Sequence, residues 1–394
     1  MFRLPLGDRT IMADVPRTGG SPLTPVTPSD GPRRRWHPRG LLRGAPGAAL
    51  IAAVTGALLG AGLTAWGSGS GPFARSAADW CGGTFADGDV ERLFRGAGDV
   101  RQAELPLWEG RRSLVGPAGT CRLTTENWQV TVRVHRLDTE WTGEGRWANE
   151  FLAARLSPLG GGLLGMASDT RAWLAVPDGC EGRPGEGEGP TVVDISSGSA
   201  GPRDDVDVTD RAALARSVVR AVNGLLAGED CAGRLADPVK GLPEPPEHQA
   251  EAPDALCGVK GLRLPGKREF DEKRPLITRG AGPVRTCDRG ESPRRPGLRL
   301  MTVADPRLAR VFDRLVRSSG APVRHERGRG VLRADLGAFQ ADCPTGPVVF
   351  LVAADDGDRA ADIRAVFPGY VRAEAQRVGC GTVRVTLPGP AASG

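Results

Sequence analysis

Apolar and polar residues alternate along this chain in three different regimes. Residues 1–43 show no apolar period and carry Pro at 5, 16, 22, 25, 28, 32 and 38, so this segment is expected to be a disordered tail. From Gly44 to Ala74 no side chain is ionisable, and Ala45 to Trp66 supply 22 residues of mainly Ala, Gly and Leu. As a helix that stretch spans roughly 33 Å, enough to cross a ~30 Å hydrocarbon core. We read residues 44–67 as a transmembrane helix. A cleaved signal peptide would need a shorter apolar core and an A-x-A-like site, and neither is present.

Beyond the span, periods of two and of 3.6 take turns. Trp128, Val130, Val132 and Val134 alternate with Gln129, Thr131, Arg133 and His135, which predicts a strand with one buried face. Leu298 and Leu300 start the matching strand further on. Helices are expected over 143–156 and 305–318, the second from Leu308, Val311, Phe312 and Leu315 at helical spacing. Strands come next at 170–176 and 190–195, and again at 331–339 and 347–353. The VVDI and VVFLVA runs have the continuous apolar character of central strands. A last helix presents Leu214, Val218, Val222 and Leu225, and later Ile363, Val366, Tyr370 and Val371. Pro368 should kink or interrupt the second of these.

The same order of elements thus occurs twice, and the cysteines repeat with it. All eight lie after the span, at Cys81, Cys121, Cys180, Cys231, Cys257, Cys287, Cys343 and Cys380. TCR at 120–122 matches TCD at 286–288, and DRAALAR at 210–216 matches DRAADIR at 358–364. We therefore expect two related modules, 74–237 and 252–390, joined by a Pro- and Glu-rich linker at 238–251. The tract EGRPGEGEG at 181–189 reads as a surface insertion in the first copy. A short helix should carry the first Cys of each set. The fold class is α+β: one N-terminal transmembrane helix, then two disulfide-stapled modules, each a mainly antiparallel sheet with helices on one face.

An even number of Cys, all on one side of a span, indicates disulfides in an oxidising compartment. Zinc sites bring Cys pairs two to four residues apart, and no two Cys here are that close. Four Cys per module allow three connectivities. We expect first with second and third with fourth, the latter tying the last helix to the sheet.

Charge fixes the orientation. The chain carries a net +5, from 52 basic and 47 acidic residues. Residues 1–43 hold eight of the basic and three of the acidic residues, leaving 44 of each for the remainder. An excess of Arg beside one end of a span marks the cytoplasmic flank. The N-terminus is expected inside and the modules outside the cell membrane. Met12 as an alternative start leaves this unchanged. With a neutral body, nucleic acid is not an expected partner. The lipid bilayer is one, and Ser21, Thr24 and Thr27, each before Pro, can accept phosphate near the Arg cluster. Within the span Gly56 and Gly60 form a GxxxG pair, which can bring two copies of the helix together as a homodimer.

Candidate chemistry is sparse. The four His (37, 135, 248 and 325) belong to no catalytic or metal motif and read as solvated residues, and no HExxH, GxSxG, Walker loop or SxxK occurs. Asp204, Asp205, Asp207 and Asp210, and likewise Asp355, Asp356 and Asp358, precede the repeat helices and read as helix caps, not as calcium ligands. Arg324, Arg327, Arg329 and Arg333 form a basic stretch that can face an acidic envelope polymer or lipid headgroups, or simply solvent. No catalytic, cofactor or metal residue is assigned.

TCR, the Cys after AWLAVPDG and the helix ending in GEDC resemble the four-Cys extracytoplasmic sensor and lipoprotein-type domains of actinomycete envelopes. No lipobox Cys follows the apolar run, so the resemblance implies an anchored relative that binds or senses something. The expected function is presentation of tandem extracytoplasmic modules for binding a small ligand or an envelope protein. The alternatives are an envelope scaffold and, more remotely, an envelope hydrolase whose site the sequence does not display.

Overall fold

In the computed structural model, Val130, Val132 and Val134 are fully buried against helices, as their alternation requires. The structure describes residues 80–389 apart from 95–98, 105–118, 139–145, 181–187, 200–209, 229–230, 232, 239–241, 245, 253, 266–273, 291–295 and 355–358. The predicted tail, the span at 44–67 with Gly56 and Gly60, and the acidic residues Asp204, Asp205, Asp207, Asp355, Asp356 and Asp358 lie outside the described residues. Among those described, no helix is long and apolar enough to cross a membrane. Arg75–Gly394 forms one compact unit.

The first sheet has seven strands: β1 (Arg101–Glu104), β2 (Gly119–Thr124), β3 (Trp128–Asp138), β4 (Ser157–Pro158), β5 (Gly165–Ala167), β6 (Arg171–Ala175) and β7 (Glu188–Ser199). Their spatial order is β1-β2-β3-β7-β6-β5-β4. The second sheet has β8 (Leu276–Ile277), β9 (Val284–Arg289), β10 (Leu298–Val303), β11 (Ala321–His325), β12 (Gly328–Leu332), β13 (Leu336–Cys343) and β14 (Gly346–Ala354). Its order, β8-β9-β10-β14-β13-β12-β11, is the first sheet's with seven added to every strand number. Every pairing in both sheets is antiparallel. VVDI and VVFLVA occupy the central strands β7 and β14.

Register aligns the two copies residue by residue. Cys121 pairs with Val132 as Cys287 pairs with Leu300, and Val132 and Leu300 pair onward with Ile195 and Val352. At the far edge, Pro158 pairs with Met166 as Pro322 pairs with Val331. Gly165 and Gly330 fall at equivalent places for one reason. A Cβ there would stand 2.4 and 2.3 Å from the carbonyl oxygens of Trp173 and Ala338, themselves equivalent residues. Only glycine lets the neighbouring strand approach so closely.

Helices cover the outer faces. α1 (Asp87–Phe94) and α3 (Arg211–Gly228) bury Leu93, Phe94, Leu214, Val218 and Val222 against the first sheet. Asp210 caps α3, its Oδ1 accepting the Ala213 N–H at 3.0 Å. α5 (Ala360–Arg377) does the same for the second sheet with Ile363, Val366, Tyr370 and Val371. The inner faces of the two sheets share a third core, which joins Leu137, Met166, Trp173 and Val192 to Met301, Val303, Val311 and Val349. The architecture is therefore helix, sheet, sheet, helix. α2 (Arg146–Phe151) and α4 (Pro306–Ala309), with the turns after it, contribute Phe151, Leu152, Leu308 and Phe312 to the shared core.

The shared core corrects the expectation of a strand with one buried face. Thr131 and His135, assigned to a solvated face of β3, are buried because the other copy packs on that side. The predicted helix 305–318 is broken into α4 and the single 3-10 turns Arg310–Phe312 and Leu315–Arg317. The predicted helix 143–156 shrinks to α2. The predicted strand 331–339 is two strands, β12 and β13, divided by a turn in which Leu336 O accepts the Arg333 N–H at 2.7 Å. α5 runs through Pro368 without interruption.

The four disulfides join Cys81 to Cys121, Cys180 to Cys231, Cys257 to Cys287 and Cys343 to Cys380. The short helix expected at the first Cys of each set is reduced to one 3-10 turn at Cys257 and is missing at Cys81. Cys81 sits in turns, Cys257 in the 3-10 turn Leu256–Gly258, and both adopt left-handed backbone angles, φ 51° and 56°. The described part of the linker lies on the second sheet's edge, where His248 bridges to Leu276 and Arg279 pairs with Glu244 and Glu247.

Candidate functional site

Equivalence between the copies singles out the inner face of the first sheet. In the second copy, Met301, Val303, Leu336 and Leu351 are buried in the shared core. The residues that register aligns with them are Arg133, His135, Arg171 and Asp194. A charged group thus stands where the same fold elsewhere uses four apolar side chains. The second copy fills these four positions without charge and buries its own ion pair, Asp288 with Arg299, elsewhere on its inner face.

The geometry is specific. Asp194, on central strand β7, keeps 1% of its side chain exposed and pairs with Arg171 at 3.2 Å. Arg171 reaches Glu150 of α2 at 3.3 Å, and its guanidinium carbon lies 4.7 Å from the centre of the Phe151 ring. That ring meets His135 edge-on at 5.7 Å and Trp173 at 6.4 Å. Phe151 is held in place by its own carbonyl, which accepts the Trp173 Nε1–H at 2.7 Å. His135 Nδ1 lies 3.2 Å from the Arg136 carbonyl oxygen.

Burial governs the proton affinities here. It pushes the Asp194 carboxyl above its ordinary range, against the opposing charges of Arg171 and His135. It pushes the His135 imidazole below its ordinary range, although Asp194 acts the other way. Burial thus favours the uncharged form of both the His135 imidazole and the Asp194 carboxyl, while the Arg171 guanidinium opposes it at Asp194.

The polar surface continues outward. Arg133, half-buried on β3, pairs across to Thr120 and Asp194, and Arg122 on β2 lies exposed beside Thr131. Neither arginine has an ion-pair partner among the described residues. In the second copy the matching positions are closed. Asp288, equivalent to Arg122, accepts the Ala154 N–H at 3.0 Å and binds Arg299, while Thr286 donates to the Leu152 carbonyl at 2.6 Å. The 152–154 segment therefore lies on one inner face, and its counterpart carries exposed and half-buried arginines.

The other candidates read from the sequence are dispersed. His248 is in the linker strip and His325 is half-buried on β11, its ring edge-on to Phe339 at 6.2 Å. Among the described residues no cluster of His, Cys, Asp and Glu is arranged to hold a metal ion. Two recesses exist. One of about 260 Å³ is bounded by Pro158, Gly160–Gly162, Gly282 and Asp305, and an open groove of about 540 Å³ runs beside β11.

Sequence reasoning passed over Asp194, Arg171 and Phe151. A signal for the first was available: an acid inside VVDI, a run read as a central strand, must be buried and must find a cation. Comparison with family profiles, with curated proteins and with solved structures finds no match for this chain.

Proposed function

We propose that this protein is a membrane-anchored extracytoplasmic binding protein whose ligand meets the inner face of the first sheet. The observation that supports this most is the charged group Arg133, His135, Arg171 and Asp194, standing where the second copy has Met301, Val303, Leu336 and Leu351. Buried charge is costly to hold, and such groups concentrate where a protein binds or reacts. Four disulfides support an oxidising compartment. The Arg-rich tail and the apolar run at 44–67 support the anchor and its orientation.

The partner's chemistry comes from the open part of the face. Arg122 and Arg133 offer guanidinium donors, and the half-buried Thr120 and Ser196 offer hydroxyls, a set suited to a polar ligand with acidic groups.

The test compares three baits on solubilised envelope: the intact chain, residues 74–394, and the intact chain with Arg133→Met, the residue of the second copy. Mass spectrometry identifies what each retains. Low-molecular-mass material held by the first two and lost from the third is the expected result. Retention of proteins by the span-bearing chains alone points to the scaffold alternative, and no retention refutes the binding reading.

A further inference from the structure

The structure assigns a second, independent site: the β11–β12 hairpin is an oxyanion clamp for a phosphate group, built from Arg324 and Arg329. It does not depend on the sheet-face reading above, since it lies on the opposite edge of the other sheet and shares no residue with that site.

Of the four arginines in this stretch, two are engaged structurally. Arg327 donates to the Thr382 carbonyl at 3.0 Å, and Arg333 pairs with Asp335 at 3.5 Å. Arg324 and Arg329 are different. They are direct cross-strand partners, both exposed, and neither has an acidic partner among the described residues. Direct partners have Cα atoms about 4.5–5.5 Å apart, so the two guanidinium stems run side by side from one face. Like charges placed so are destabilising in a sheet. An anion bound between them would relieve that repulsion, and two neighbouring guanidinium groups match the oxygens of a phosphate.

Two further observations point the same way. First, the arginines line the open groove of about 540 Å³, with His325 and backbone of Gly328 and Gly330, while Glu326 is the single carboxylate on its wall. The groove's base is fixed, because Arg324 and Thr386 exchange backbone hydrogen bonds at 3.2 and 3.0 Å. His325 Nδ1 accepts the Arg327 N–H at 3.1 Å, which leaves Nε2 as the ring's proton-bearing nitrogen. Second, the repeat shows that the fold does not require arginines in this hairpin. In the first copy, the connection after the equivalent Pro158 is closed by Gly160, Gly161 and Gly162, all with positive φ and without charge. The basic hairpin is an elaboration of the second copy.

A phosphate group can reach this clamp as a free ion or on a lipid headgroup, and the experiment separates the two. The full chain in neutral detergent micelles is titrated calorimetrically with inorganic phosphate. In a second arm the micelles are doped with phosphatidylglycerol or with phosphatidylcholine. Wild type, R324Q/R329Q and R372Q, which removes an exposed arginine on the outer helix α5, are compared. Saturable binding in at least one arm is expected, unchanged in R372Q and weakened at least ten-fold in the double variant. Ten-fold corresponds to about 1.4 kcal/mol, within reach of one lost charge-assisted hydrogen bond. Binding in the first arm identifies a free phosphate. Binding confined to phosphatidylglycerol identifies a headgroup. Without ligand the double variant should melt no lower than wild type, because a repulsion has been removed. Absence of saturable binding in both arms, equal binding by the double variant, or a lower melting temperature in it would each overturn the assignment.

Discussion

Transplanting the second copy's residues into the first gives the sharpest test of the charged inner face. The quadruple variant Arg133→Met, His135→Val, Arg171→Leu, Asp194→Leu restores the side chains found at Met301, Val303, Leu336 and Leu351. Asp194 and Arg171 have 1% and 13% of their side chains exposed, so both carry a large desolvation cost that their 3.2 Å contact only partly offsets. Replacing a buried charged set by well-packed apolar residues is commonly neutral or stabilising by about 1–4 kcal/mol. For a body of this size each kcal/mol moves the melting temperature by roughly 2–4 °C. We expect the quadruple variant to melt at or above wild type, by up to about 10 °C, as followed by circular dichroism on the intact chain. Asp194→Leu alone should do the opposite and lose about 3 kcal/mol, because it leaves the buried Arg171 guanidinium beside Phe151 with only the half-exposed Glu150 as counter-charge. A quadruple variant less stable than the single one would refute the reasoning. It would mean that the group holds the sheets together and is not retained against their stability.

Three further predictions rest on separate contacts. A Cβ at Gly189 would stand 2.3 Å from Val311 Cγ2, across the shared core, so Gly189→Ala should cost about 1–3 kcal/mol in urea unfolding, and an unchanged midpoint would show the sheets to be further apart. Burial pushes the Glu374 carboxyl up, but hydrogen bonds and charge from Arg377, the charge of Arg285 and a hydrogen bond from Thr302 more than compensate and hold it below the ordinary range. Its contribution is therefore present above the unfolded carboxylate pKa and is lost as pH falls through the folded one, so Glu374→Gln should flatten the acid limb of the stability–pH curve; an unaltered limb would exclude it. Removing the Cys257–Cys287 bridge with a double Ser variant should lose about 2–4 kcal/mol, as fits a loop of 30 residues, and non-reducing peptide mapping should recover the other three bridges unchanged.

Much of the fold was legible because its signals are local. VVFLVA announces a buried strand, and Leu214, Val218, Val222 and Leu225 announce the outer helix without reference to anything distant. The repeated TCR and TCD mark the strands that carry Cys121 and Cys287, each bonded to the first Cys of its own copy. What the sequence did not disclose is which faces meet. Thr131 and His135 alternate with valines in the way solvent-facing residues do, and only the arrival of the second sheet buries them. The run 305–318 has helical spacing, yet it must fit between two sheets, and it breaks into short turns that place Leu308, Val311 and Phe312 in the shared core. Most of the candidate site was illegible for the same reason. Asp194 stands out inside the apolar run VVDI, but Arg133 is ordinary on a half-solvated strand and becomes unusual only beside Met301, a comparison that needs the register of both sheets.

The shared core also decides what one copy can do alone. Leu137, Phe151, Met166, Trp173 and Val192 are all at or below 3% exposed, and each faces the other copy's side of the first sheet. Fully burying side chains of this kind contributes about 1.5–3 kcal/mol apiece, on the order of 10 kcal/mol for the five. That is comparable to the whole net stability of a domain, about 5–15 kcal/mol. Residues 74–237 expressed without the second copy would therefore expose a broad apolar sheet face, the kind that soluble monomers avoid. Since the two copies share one strand order, the partner best shaped to cover that face is another molecule of the same segment. Sedimentation velocity on the oxidised segment should show dimers or larger aggregates, and Trp173→Ser with Met166→Ser should shift them toward an unfolded monomer. A cooperatively folding monomer of 74–237 would instead mean that each sheet is stable on its outer core alone, and that the inner faces meet for the sake of the site between Asp194 and Phe151.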